Sequence, residues 1–172
     1  DMNQDTITIH EKRAEAWKVT LIDTGENTMT GGRLKRVLPH LEGEEAFCFT
    51  YGDGVADVNI QDLINFHKSH GKLATLTATS PPGRFGALAI DEGVITNFEE
   101  KPKGDGALIN GGYFVLSPKV IHRIDGDETT WEKDPLKSLA LDGELMAFKH
   151  DGFWQPMDTL RDKTFLEELI AL

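Results

Sequence analysis

The run AFCFTYGDGVAD, residues 46–57, constrains this chain more than any other segment. An almost uninterrupted apolar stretch meets a glycine-bracketed acid, Asp53. Such a short apolar run is expected for a strand buried on both faces of a parallel sheet, and a sheet of that kind needs helices to cover it. The rest of the chain supplies them. GRLKRVLPHL (32–41) reads as a helix ended or kinked by Pro39. Asn59 can cap a helix whose Ile60, Leu63, Ile64 and His67 share one face. DPLKSLALDGE reads as a helix closed by Gly143, and TLRDKTFLEELIAL as a C-terminal helix with a broad apolar face.

Between these lie the strand-like segments. TITI (6–9), WKVTLIDTG (17–25) and KLATLTATS (72–80) are rich in β-branched residues. SPPGRFG (80–86) is a loop, and GALAID with GVITNFEEKP is a strand pair joined around Asp91–Gly93. ALINGGYFVLSP (107–118) reads as a strand interrupted by Gly111–Gly112, with Ser117–Pro118 opening a helix. LMAFKHDGFWQPMD is extended. Strands alternating with helices, and hairpins confined to the middle, predict an α/β architecture with a mixed sheet.

Composition narrows the function classes. A formal net charge of −11 argues against a nucleic-acid-binding surface, which needs clustered Lys and Arg. The concentrated basic patch is GGRLKR, with Arg33, Lys35 and Arg36. No apolar run reaches the length of a membrane helix, and no basic-then-apolar leader is present, so neither a membrane nor an export reading finds support. The single cysteine, Cys48, is expected to be a small buried hydrophobe in a reducing cytoplasm.

Asp53 has two readings. Asp-Gly is a common turn dipeptide, yet in open α/β sheets ligands gather outside the carboxyl ends of strands, where Asp53 falls. Its carboxylate is a hard donor suited to magnesium, which commonly takes one or two protein carboxylates plus substrate phosphates. The second acid is Asp158 in FWQPMDTLRD, which competes with a helix-capping role. TMTGGRLKR offers flexible backbone, hydroxyls and a cation at a helix start, and FEEKPKG places Glu100 and Lys101 at a strand end, where Lys101 could pair with phosphate. Both also read as unliganded surface. The glycines of INGGYFVL and PPGRFGAL are consistent with close approach by a ligand. His67 and His70 lack an acid or cysteine cluster and read as surface or core-edge residues, and the three tryptophans read as core. No serine elbow, Walker loop or paired CxxC motif occurs.

Taken in order, TMTGGRLKR, FTYGDGVAD, PPGRFGAL, EEKPKGDGALINGGYFVL and FWQPMDTLRD resemble the sugar-nucleotide pyrophosphorylases, and GFWQPMDTLRD favours their cytidylyl branch over thymidylyl and uridylyl relatives. The resemblance implies a mixed, mostly parallel, Rossmann-like nucleotidyltransferase sheet flanked by helices, with a small antiparallel hairpin region. It implies magnesium-assisted formation of CDP-glucose and pyrophosphate from CTP and glucose 1-phosphate. It also implies a homo-oligomer and a role in supplying sugar nucleotides for surface polysaccharide. Carried over motif by motif, Asp53 and Asp158 would hold magnesium. Thr28, Gly32, Arg33 and Gly52 would line the nucleotide pocket, and Gly86, Glu100, Lys101, Asn110 and Gly112 would surround the sugar phosphate. Lys101 and Arg33 would act on the reacting phosphates.

One departure matters. The family's glycine-rich GGxGTR-type loop and the lysine after it are absent from this sequence. Residues 1–172 are therefore expected to be a nucleotidyltransferase domain lacking its N-terminal phosphate-loop segment, roughly its first quarter to third. A chain of this kind should hold triphosphate poorly. That keeps two other readings open, a non-catalytic sugar-nucleotide-binding module and a relative with another base specificity.

Overall fold

The computed structural model describes residues 17–82, 87–91, 94–99 and 108–171. In chain order the elements are α1 (Thr30–Arg36), β1 (Phe47–Thr50), β2 (Gly54–Ala56), α2 (Ile60–His70), β3 (Ala74–Thr79), β4 (Ala87–Asp91), β5 (Val94–Glu99), β6 (Ile109–Leu116), α3 (Asp134–Leu141), β7 (Leu145–His150), β8 (Trp154–Pro156) and α4 (Leu160–Ile170). Two 3-10 turns, Leu38–His40 and Pro118–Arg123, join them. Pro39 lies in the first, so α1 ends three residues before the proline that cannot continue it.

The central sheet runs β1–β6–β3–β7. β3 pairs in parallel with β7, while β6 pairs antiparallel with both β3 and β1. The sheet is mixed, as expected, with its parallel pairing confined among the described residues to the β3–β7 side. The expected hairpin is present as β4 and β5, and β2 pairs with β8 in a separate antiparallel ribbon.

Alternation along β6 divides the core. Phe114 and Leu116 face a cluster with Leu34 of α1, Leu139 of α3, Val120, Ile121 and the fully buried Trp131. Val115 points the other way, onto Val58 and Leu63 of α2. The sheet is thus covered on both faces. α2 forms where the sequence predicts it: the Asn59 side chain accepts from the Asp62 amide at 3.1 Å, and Gly71 closes the helix at φ +66°.

Three expectations are corrected. WKVTLIDTG forms no strand, pairs with none of the described strands, and exposes Trp17, Val19 and Leu21. β-branched pattern alone does not hold a strand that lacks a ladder partner. β1 is not buried on both faces. It lies at the edge of the described sheet with alternating burial, and Cys48 points outward. His67 is buried rather than peripheral, hydrogen-bonded through Nδ1 to Thr75 Oγ1 at 2.9 Å. The apolar face of α4 is largely uncovered. Only Leu166 is buried among its described residues, with Leu160 and Ile170 more than 80% exposed. The expected strand at 6–9 lies outside the described residues.

Candidate active site

The β2–β8 ribbon brings the two singled-out acids to one place. Gly54 pairs with Pro156 and Ala56 with Trp154. Just beyond the ladder, the Met157 amide donates to the Asp53 carbonyl at 2.7 Å, so Asp158 follows directly on a residue bonded to Asp53. Two hydrogen bonds pin this ribbon to β6: Tyr113 Oη donates to the Gly54 carbonyl at 2.8 Å, and Trp154 Nε1 donates to the Gly111 carbonyl at 2.7 Å.

Asp158 does not cap α4. The cap is Thr159, whose side chain accepts from the Asp162 amide while the Asp162 carboxylate accepts from the Thr159 amide at 3.0 Å. Asp53 and Asp158 are both exposed, and among the described residues neither carboxylate takes a hydrogen bond or ion pair. Asp57, the other acid of GDGVAD, is spent on structure: it accepts from the Phe153 amide at 2.7 Å and lies 3.1 Å from His150 Nε2.

The glycines separate into two kinds. A Cβ at Gly52 would meet nothing within 4 Å, and one at Gly54 would only reach the Gly111 carbonyl at 4.0 Å. Neither has a positive φ. Neither backbone angle nor neighbour therefore requires glycine at these positions. The bare backbone leaves open space beside Asp53.

Gly111 and Gly112 are the opposite case, since protein atoms fill the space a side chain would take. Gly112 sits at φ +80°, with the Tyr51 ring 2.9 Å from where a Cβ would stand, and the Thr77 carbonyl lies 3.0 Å from a Cβ at Gly111. Here β6 bulges: between the Leu76–Phe114 and Ala78–Asn110 pairs, Thr77 alone faces Gly111, Gly112 and Tyr113. The bulge turns Asn110, whose Oδ1 accepts from the Gly112 amide at 2.8 Å.

The diglycine of TMTGGRLKR is also occupied by protein. Cβ atoms at Gly31 and Gly32 would each come within 2.6 Å of the backbone of Thr129 or Asp127. Both amides donate to the Thr129 carbonyl, and the Met29 amide donates to that of Asp127. These donors are therefore already used, and the anion-corner reading of this motif passes to its side chains. Arg33 is exposed, anchored to Thr24 Oγ1 at 2.7 Å and the Glu26 carbonyl at 3.0 Å. Thr28 is buried against Gly32. Gly86, Glu100 and Lys101 lie outside the described residues.

At the carboxyl ends of the parallel pair β3 and β7 lies a cleft of about 410 Å³, lined by Thr79, Pro81, Pro82, His150, Trp154 and Phe165. Such a switch-side position is where open α/β sheets take ligands. Asp53 and Asp158 are not among the residues that line this cleft, and among the described residues no three His, Cys, Asp or Glu side chains cluster as a metal site. None of the described helices is long and apolar enough to cross a membrane. Spacing did not point to Tyr51, Asp57, Thr30 or Glu132, because each acts through partners far away in the chain.

The mixed sheet and its two-sided helical cover define an α/β domain. The chain belongs to the nucleotidyl transferase family, whose pattern matches residues 4–159. It is 65% identical over 168 residues to the glucose-1-phosphate cytidylyltransferase of Salmonella typhi, covering 98% of this chain and 65% of that protein. It is 35% identical over 130 residues to the mannose-1-phosphate guanyltransferase beta-A of Xenopus laevis, covering 73% of this chain and 36% of that protein. The fold matches the crystal structure of HddC from Yersinia pseudotuberculosis with a TM-score of 0.63 at 23% identity, over 84% of this chain and 64% of that one. The chain thus spans under two thirds of the length of these relatives.

Proposed function

We propose that this chain belongs to a glucose-1-phosphate cytidylyltransferase, which forms CDP-glucose and pyrophosphate from CTP and α-D-glucose 1-phosphate. The observation that supports the reading is the Met157–Asp53 backbone bond, which brings the chain segments of the two acids together, with neither carboxylate in a hydrogen bond or ion pair among the described residues. The 65% identity to the Salmonella protein supports the choice of substrates.

A phosphate oxygen of the sugar phosphate attacks the α-phosphorus of CTP. The bond from that phosphorus to the oxygen bridging to the β-phosphate breaks, and pyrophosphate leaves with that electron pair. No protein nucleophile is needed, so positioning and charge neutralisation supply the rate enhancement. Asp53 and Asp158 fit magnesium: two exposed oxygen donors and open space at Gly52 suit an ion that keeps water and substrate phosphates as its other ligands. When bound, magnesium would neutralise charge on the phosphates.

The chain's own residues do the rest. Lys101 counters the charge of the attacking phosphate, and Glu100 and Asn110 accept and donate hydrogen bonds to the sugar, with Gly86 and Gly112 shaping that side. Thr28, Gly32 and Gly52 shape the nucleotide side. Two of the five N–H donors of Arg33 are engaged among the described residues, which leaves the guanidinium able to meet a phosphate oxygen. An enzyme consuming CTP belongs in the cytoplasm, and the full protein is proposed to act as a homo-oligomer.

Pyrophosphate release by the full gene product with CTP, UTP and dTTP tests the substrate choice. Cytosine and uracil differ in a hydrogen-bonding group, so CTP should lead by about a hundredfold or more. Equal turnover with the three, or a lead for UTP or dTTP, would move the protein to another branch. No turnover with tight CDP-glucose binding would make it a binding module.

A further inference from the structure

Glu132 lies on neither the proposed metal site nor the substrate motifs, and its carboxylate is exposed. Both of its oxygens nevertheless have fixed partners from distant parts of the chain. Tyr51 Oη donates to Oε1 at 2.6 Å, and Thr30 Oγ1 donates to Oε2 at 2.7 Å. Thr30 Oγ1 in turn accepts from the Trp131 amide at 2.9 Å, which sets its hydroxyl proton toward Glu132. One carboxylate therefore bridges the end of β1 and the start of α1.

Tyr51 is the link to the site. It stands two residues before Asp53, and its ring packs over Gly112, the glycine whose φ of +80° turns Asn110. Its hydroxyl is 3.5 Å from Asn110 Nδ2, while Asn110 Oδ1 is held by the Gly112 amide. Once its proton goes to Glu132, the Tyr51 oxygen can only accept from Asn110. The Asn110 amide is thereby oriented at both ends.

We propose that Glu132 is a positioning residue for the sugar phosphate: through Tyr51 it fixes the rotamer of Asn110 and the ring that shapes Gly112, with Thr30 as its second anchor. The proposal rests on the cytidylyltransferase reading for its kinetic form. Charge-assisted bonds of this kind are short and directional, and small misplacements of a positioning group cost large factors in rate. Glu132 touches no reacting atom. Its removal should therefore be felt by one substrate and spare the other.

The test uses Glu132→Gln, Tyr51→Phe and the double variant of the full gene product. Each single replacement should raise KM for glucose 1-phosphate by about tenfold, with KM for CTP within about twofold, and the double should be no worse than the worse single. In ¹⁵N-labelled protein, the Asn110 side-chain amide pair should shift and exchange faster with water in all three variants. Wild-type KM values, losses that multiply in the double, or equal rises for both substrates would overturn the proposal. So would an unchanged Asn110 resonance. An inactive wild-type protein would count against the cytidylyltransferase reading alone, because the Asn110 resonance still decides whether Glu132 positions it.

Discussion

Replacing Gly112 with alanine would put a methyl group 2.9 Å from the Tyr51 ring at a φ of +80°, a region that L side chains rarely adopt. Strain of this kind costs about 1–3 kcal/mol, so urea unfolding should show Gly112→Ala destabilised by that amount. Gly52→Ala should behave in the opposite way. Its φ is not positive and its Cβ would meet open space, so stability should hold or rise by about 0.4–1 kcal/mol through a less flexible unfolded chain. Turnover should nevertheless fall about tenfold or more, because the methyl group enters the space beside Asp53. A Gly52→Ala protein that is stable and fully active would remove the reason for glycine there. In the sequence GDG, GGR and NGG look alike. Only the backbone angle and the neighbour separate a glycine packed by Thr129 or Tyr51 from one facing open space.

The start of α4 offers a similar separation between two adjacent residues. Thr159→Ala removes the capping hydroxyl and should cost about 1 kcal/mol in unfolding experiments while leaving the nucleotide KM near wild type. Asp158→Ala should leave stability within about 0.5 kcal/mol, as for a surface change, and abolish turnover. In the sequence, MDTLRD leaves Asp158 between a cap and a ligand. The reciprocal bonds of Thr159 with Asp162 settle it and free Asp158.

The α2–β3 contact carries a pH dependence. The Lys72 amide donates to His70 Nδ1 at 2.9 Å, so the ring's proton sits on Nε2 and is donated to Thr75 Oγ1, whose hydroxyl then donates to His67 Nδ1. Both rings must be neutral for this chain to exist. Burial and then His70 lower the His67 value, and burial and then Lys72 lower that of His70, with Glu144 opposing. Folded values below the ordinary 6.5 mean that the unfolded chain takes up protons first. Stability is therefore full above pH 6.5 and falls as pH drops through the depressed folded values. Unfolding midpoints measured from pH 7.5 down to 5 should show that decline, and the His67→Gln, His70→Gln double variant should flatten it.

Over the whole molecule, much was legible because local signals and tertiary packing agree. Asn59 caps α2, the hairpin forms from its two predicted strands, and FTYGDGVAD does place Asp53 just past a strand end. Expectations failed where a segment's state depends on partners remote in sequence. WKVTLIDTG carries a strand's composition without a described ladder partner, and AFCFTY reads as doubly buried although β1 pairs on one side only among the described residues. Glu132 has no local signature because its partners lie 81 and 102 positions away. The central claim is that the β2–β8 ribbon exists to hold Asp53 and Asp158 on one cation. The most direct measurement is CDP-glucose formation against magnesium concentration for the wild-type gene product and for Asp53→Asn and Asp158→Asn, each checked for an unchanged unfolding midpoint. Each variant should lose about a hundredfold or more in rate and need more magnesium for half-saturation; wild-type turnover at the wild-type magnesium requirement in either variant would contradict the account.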